Sequence, residues 1–197
     1  MENTMEFIKR SLLETKREGM EALVTYMEEI GYFTTPCSGG THLAKEGGLA
    51  EHSMNVLNVA LRLGLALLPK EQHTPENMFS ITIAALLHDL GKCGQYGKPE
   101  YIPNILKSGK QSESKPYQRN KELLNVPHEV RSVALATMFI NLTEEEQHAI
   151  LMHNGLYGPL KYEIQGNETP LYMIIHWADM WASHVVETKK DEEEKAE

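Results

Sequence analysis

The chain has 197 residues, 41% apolar and 24% charged, with a formal net charge of −9. That length suits one domain with a sizeable core, and the mixture is that of a globular chain rather than a disordered or membrane-spanning one. Acidity, with no Lys/Arg-rich block, argues against extended nucleic acid as the partner, because duplex binding needs a basic face.

In chain order, the opening stretch MENTMEFIKRSLLETKREGM has no compact apolar run with a small-residue cleavage site, so no leader is expected. Apolar residues at helical spacing predict helices over residues 3–18 (Phe7, Ile8, Leu12) and 19–30 (Leu23, Val24, Met27, Ile30), with Gly31 as a stop. Residues 34–48, with four glycines and a proline, predict a loop. A helix follows over 49–68 and ends at Pro69. Its apolar part, over 56–68, is broken by Asn58, Arg62 and Gly64, so it falls short of the roughly 20 apolar residues of a membrane span.

Thr74 as N-cap and Pro75 at the first helical position open the next helix, which carries MFSITIAALLHDL and stops at Gly91. Residues 92–120, rich in Gly, Pro, Lys and Ser, predict a functional loop or lid with room for a short hairpin. A helix over 128–140 follows. Thr143 and Glu146 form a capping box for another, reaching about His153, and Asn154-Gly155 ends it. A second loop spans 155–169. Thr169 and Pro170 then open a last helix to about Lys189. The reading is one all-α domain over 1–188, a helical bundle with long loops, and a charged, disordered tail over 189–197 ending in DEEEKAE. Cys37 and Cys93 lack CxxC partners, so free thiols and a cytoplasmic chain are expected. A homo-oligomer stays open.

Nine histidines are present, and their placement singles some of them out. His88-Asp89 end the apolar helix AALLHDLGK, at the edge of a core. A carboxylate buried beside an imidazole is costly unless it is paired or bound to a cation. Neighbouring helical residues point about 100° apart, so both side chains can converge on one ion at the helix end. Taken alone, the pair serves equally well as a cap for a neighbouring helix. His52, in GGLAEHSMNV, sits near a helix start after a glycine pair. Asp179, in HWADMWASH, sits among Ile174, Ile175, Trp177 and Trp181 and needs a partner. One cation would satisfy all three helices at once. Nitrogen and oxygen ligands suit Mn²⁺, Fe²⁺, Ni²⁺, Co²⁺, Zn²⁺ or Mg²⁺.

The ordered set His52, His88-Asp89, Asp179 resembles the H…HD…D signature of HD-domain metal phosphohydrolases. GGLAEHSMNV, AALLHDLGK and HWADMWAS are each similar to motif neighbourhoods of that family, and the wider pattern, from the REGM segment near Gly19 to Ala182, is similar to small stand-alone bacterial members. The resemblance implies a helical fold, one or two divalent ions and hydrolysis of a phosphate ester. It also implies that Asp89 bridges two ions and that His128 and His153 hold the second ion or touch substrate phosphate. Asn154 stands where such proteins carry a further histidine.

Lys92, one turn past the ligands, is expected to neutralise phosphate charge, although a cation at a helix C-terminus also suits the helix dipole. Arg131 is expected as a phosphate contact near His128. His176 is expected behind the ligands or in the core, and His42 at the site mouth. His73, His148 and His184 are expected to be structural or exposed. The expected partner is a small phosphorylated substrate, first of all a nucleotide or cyclic nucleotide, with no membrane. The alternatives are a nuclease-like phosphodiesterase on nucleic-acid ends, a catalytically silent metal- or nucleotide-binding module, and a helical scaffold with unrelated histidines.

Overall fold

The computed structural model describes residues 3–188; the expected tail over 189–197 lies outside the described residues. The chain runs through helices α1 (Thr4–Glu14), α2 (Met20–Glu29), α3 (Gly48–Leu67) and α4 (Pro75–Leu87). The strands β1 (Tyr101–Pro103) and β2 (Tyr117–Arg119) follow, then α5 (His128–Ala136), α6 (Glu144–Met152) and α7 (Pro170–Trp181). It is an all-α bundle to which the long central loop adds a two-stranded antiparallel hairpin, Ile102 opposite Gln118.

The helix starts follow local capping chemistry. The Thr74 and Thr169 side chains accept from the N–H groups of Asn77 and Tyr172, each with a proline at the first turn. Thr143 and Glu146 close a reciprocal capping box. Gly31, at φ +79°, ends α2 as a left-handed residue. Its N–H donates to the Glu28 carbonyl and that of Tyr32 to the Met27 carbonyl, the two bonds of a Schellman motif.

Helix ends depart from the sequence reading where the regular α hydrogen-bond ladder gives way to another turn. α1 stops at Glu14 because Lys16 takes φ +52°. α4 stops at Leu87, with a 3₁₀ turn over Leu90–Cys93 in place of a last α turn. α5 stops at Ala136. Beyond α7 the chain passes into a π turn over Ala182–Val186.

α3 packs against α1, α4 and α7, and α6 packs against α4, α5 and α7. α3 buries one stripe, Leu49, Val56, Leu57, Ala60 and Gly64. α4 is different: every residue from 81 to 87 is buried. A helix apolar all round belongs in the middle of a core, so α4 carries His88 and Asp89 into the interior. Among the described residues, no helix is long and apolar enough to cross a membrane.

A second polar cluster ties α6 to the N-terminal segment. Glu146 is fully buried, and its carboxylate accepts from Arg17 at 2.7 and 2.9 Å, from Ser80 Oγ at 2.8 Å and from the Thr143 N–H at 2.9 Å. Burial alone would raise its pKa, but Arg17, the Thr143 N–H and Ser80 outweigh that and hold it below the ordinary 4.5. A group depressed in the folded state stabilises above its unfolded pKa, and that stability is lost as pH falls through the folded value. Glu146→Gln is therefore expected to lower unfolding free energy by about 2 kcal/mol at pH 7, the scale of a charge-assisted hydrogen bond. Urea titrations should show the difference from wild type shrinking below pH 4.5.

Candidate metal centre

The centre is assembled from helix ends. His88 is the C-cap of α4, and its Nδ1–H donates to the Ala85 carbonyl at 2.8 Å. His153 is the C-cap of α6 and donates from Nδ1 to the Ile150 carbonyl at 2.8 Å. His52, early in α3, donates from Nδ1 to Glu187 Oε1 at 2.9 Å. An acceptor-only partner at Nδ1 keeps a proton on that nitrogen, so each ring, when neutral, presents a lone pair at Nε2.

Those lone pairs converge. Nε2 of His52 lies 3.3 Å from Nε2 of His88, and Nε2 of His128 lies 3.4 Å from Nε2 of His153. Two lone pairs at that distance repel unless a proton or metal ion lies with them. The Asp89 carboxylate stands between the two pairs. Its Oδ2 is 3.3 Å from His88 and 3.6 Å from His52. Its Oδ1 is 3.1 Å from His128 and 3.6 Å from His153, and has no hydrogen-bond partner although it is buried. Asp179 Oδ1 closes the first side at 3.1 Å from His52 Nε2.

Three overlapping sets result: His52–His88–Asp89, His88–His153–Asp179 and Asp89–His128–His153. The ligand atoms of each lie within 4.8 Å of one another. The donors are imidazole nitrogens and carboxylate oxygens, and they fit a borderline or hard divalent ion.

The electrostatics carry the same signature. Burial works against the charged form of Asp89, yet Lys92, His88, His128 and His153 hold its carboxyl well below the usual range. Asp179 is likewise depressed, burial being outweighed by His52, His88 and His153. His52 is pushed well above its ordinary value: burial opposes this, but Cys37, Asp179 and Glu187 prevail. Burial dominates at His88 and lowers it. Protons and the Lys92 ammonium thus meet part of a negative field that a divalent ion can meet directly.

The structure therefore brings together His52, His88, Asp89, Asp179, His128 and His153. Lys92, carried by the 3₁₀ turn, reaches Asp89 Oδ2 at 2.6 Å. Asn154 sets its Nδ2 3.3 Å from His128 Nε2. Arg131 is a correction. It is buried, and its guanidinium donates to Gln95 Oε1 and the Leu124 carbonyl, both at 3.1 Å. Packing of the long loop over α5 draws this side chain under residues 95–124, where it braces the loop instead of facing the centre.

Trp177 and Trp181 also differ from the reading: both are exposed, on the face of α7 opposite Asp179. His176 donates from Nδ1 to the His153 carbonyl at 2.7 Å, behind the cluster. His42 lines the mouth, and burial with the nearby His52 and Lys92 lowers its pKa to about 4. His73 and His184 bond to the backbone, and His148 packs edge-on to Tyr172.

The sequence reading left out Glu187. It is fully buried, accepts from His52 and also from Asn55 Nδ2 at 3.2 Å, and lies below its ordinary pKa, because His52 and Asn55 outweigh burial. In the sequence it opens the polar run ETKKDEEEKAE and resembles the start of a solvated tail. The π turn explains its position. Eight residues along an α-helix turn Glu187 about 80° from Asp179, whereas one inserted π residue brings the two back to within about 20°.

A family model described as HD domain matches residues 49–181. Neither a search of curated proteins nor one of solved structures returned a match.

Two substitutions probe the framework. Glu187→Gln removes the carboxylate behind His52 and should weaken divalent-ion binding about 10–100-fold by calorimetric titration, the usual scale for such supporting groups. Gly91 lies where a Cβ would run into the His128 carbonyl, and its N–H donates to Ser132 Oγ at 2.8 Å. Gly91→Ala should push α5 away from Asp89 and lower both thermal stability and the number of ions bound.

Proposed function

The chain belongs to the HD-domain family, and from that premise we propose that it is a metal-dependent phosphohydrolase acting on a small nucleotide or cyclic nucleotide. The observation that carries this reading is the position of Asp89, whose two oxygens face two separate pairs of imidazoles. His52, His88, Asp89 and Asp179 would hold one divalent ion. Asp89, His128 and His153 would hold a second or contact the substrate phosphate. When bound, such an ion lowers the pKa of water toward about 7 and neutralises charge on the phosphoryl oxygens.

The remaining chemistry belongs to the chain. The Asp89 carboxylate orients the attacking water. Lys92, beside Asp89 and 13% exposed at its side chain, would neutralise charge on the anionic phosphate. Cavity size supports the substrate class. The hollow at the centre, lined by Asp89, Lys92, His153, Asn154 and Asp179, holds about 180 Å³. That is enough for a phosphate group but below the roughly 300–1,000 Å³ of whole small-molecule sites. A groove of about 380 Å³, lined by Tyr101, Arg119, Asn125 and Tyr157, shares Asn154 and Tyr157 with it and leaves room for a base and sugar.

One observation favours the second reading, a diesterase on nucleic-acid ends. Arg119, exposed on the loop around the hairpin, lines that groove and offers a guanidinium to a second phosphate, although it is shared with Glu100. A short oligonucleotide included in the substrate panel separates the two.

Purified protein with Mn²⁺ or Ni²⁺ is expected to hydrolyse bis-(p-nitrophenyl) phosphate and at least one nucleotide. Asp89→Ala should fall to background turnover and lose metal by elemental analysis. Normal turnover by that variant would defeat the reading. Tyr157→Ala should raise KM for the nucleotide roughly tenfold with kcat retained, the scale of one base–aromatic stack.

A further inference from the structure

The loop between α2 and α3 carries a cluster that the proposed reaction does not use. The loop is closed on itself: the Cys37 N–H donates to the Leu43 carbonyl at 3.1 Å, Ser38 Oγ donates to the His42 carbonyl at 2.8 Å, and the Thr41 N–H donates to Ser38 Oγ at 3.0 Å. This turn holds Cys37 Sγ 3.3 Å from His42 Nε2. The His42 ring faces that of His52, their centroids 5.2 Å apart. One ligand atom from each of Cys37, His42 and His52 lies within 4.8 Å of the others.

One further observation points to a cation there. Glu187 Oε2 is buried without a hydrogen-bond partner and lies 3.7 Å from His42 Nε2. The Lys92 ammonium sits 3.8 Å from Cys37 Sγ and offsets part of the burial that pushes this thiol up. Cys37, His42 and Glu187 all lie outside the segment 49–181 matched by the family model.

We propose that Cys37, His42 and His52 form a thiolate-containing site for a soft divalent ion such as Zn²⁺, with Glu187 as the adjoining carboxylate, and that its occupancy inhibits the metal centre by taking His52. One sulfur with imidazole nitrogens and a carboxylate oxygen is a zinc-type donor set, whereas hard ions such as Mg²⁺ and Mn²⁺ avoid sulfur. The centre around Asp89 offers no sulfur, so the two sites sort ions by softness. Binding releases the Cys37 thiol proton to solvent as the metal–sulfur bond forms. His52 is the shared member. Its Nε2 faces Asp179 and its Nδ1 faces Glu187, so an ion bound through either nitrogen detaches the ring from one of the carboxylates that position it. His42 lines the mouth of the central cavity, which gives both sites one entrance.

The binding site stands independently of the hydrolase reading; its inhibitory effect rests on that reading. The test therefore has two readouts. Metal-stripped full-length protein is titrated with Co²⁺, and the near-ultraviolet sulfur-to-cobalt charge-transfer band is followed. Wild type and Cys93→Ser should show the band and Zn²⁺ should displace it. Cys37→Ser should lose it, and His42→Ala should need at least about tenfold more Co²⁺. In the second readout, Zn²⁺ is added to Mn²⁺-supported turnover. It should inhibit wild type, and Cys37→Ser should turn over normally with Mn²⁺ while needing at least about tenfold more Zn²⁺ for the same inhibition. No band in wild type, or a band that survives Cys37→Ser, overturns the site. A Cys37-dependent band without turnover on any substrate leaves the site standing and removes the hydrolase reading. Equal inhibition of wild type and Cys37→Ser overturns the regulatory effect.

Discussion

The constraint on which the structure depends is the placement of one carboxylate. Asp89 is 1% exposed at the end of a helix whose last seven residues are all buried. An ion in that position costs several kcal/mol in lost hydration unless its surroundings return it. No neighbour compensates it alone. α3 contributes His52, α5 His128 and α6 His153, while Lys92 arrives from the turn beside it. The packing of α3, α6 and α7 around α4 is thus an apolar arrangement and an electrostatic one at once. The helix ends, where backbone carbonyls lack partners, are used to aim imidazoles. His88 and His153 meet this need in the same way, each donating to the carbonyl three residues back.

Much of this is legible in the sequence because it is local. Capping residues, the stripe of α3 and the continuous apolar run of α4 act over a few positions, and the capped starts at Thr74, Thr143 and Thr169 are where the sequence places them. The grouping of His52, His88-Asp89 and Asp179 follows from the cost of burying each alone. What escapes the sequence depends on tertiary packing or on irregular backbone. Arg131 follows His128 by one turn, yet the loop lying over α5 engages its guanidinium. Glu187 belongs to a run of charges, and only the π turn returns it to the face of Asp179. The pairing of Cys37 with His42 needs a closed loop, and glycine-rich composition predicts a loop without its shape.

The π turn has a consequence beyond placing one side chain. A regular helix would turn Glu187 away from α3, leaving His52 Nδ1 without an acceptor and its tautomer unset. With Glu187 in place, the ring is clamped between carboxylates on the two stretches that follow α7 and precede its end, Asp179 at Nε2 and Glu187 at Nδ1. The irregular turn and the ligand set are therefore one device: the extra residue costs helix regularity and in return lets Glu187 fix the orientation of a histidine 135 positions earlier in the chain.

His52 is consequently held at both ring nitrogens, by Asp179 and by Glu187. It leaves the glycine pair Gly47-Gly48, where the backbone of Gly48 packs so closely on the Leu43 carbonyl that a Cβ has no room. The same Leu43 carbonyl accepts the Cys37 N–H that closes the thiol loop. The start of α3 and the geometry of Cys37 and His42 are thus set by one contact. A change of charge or ligand on the thiol side acts on the His52 ring through space, and a change of loop shape acts on it through this backbone. An ion bound on the thiol side would meet a histidine already held by two carboxylates, and in this way the early loop is tied to the geometry around Asp89.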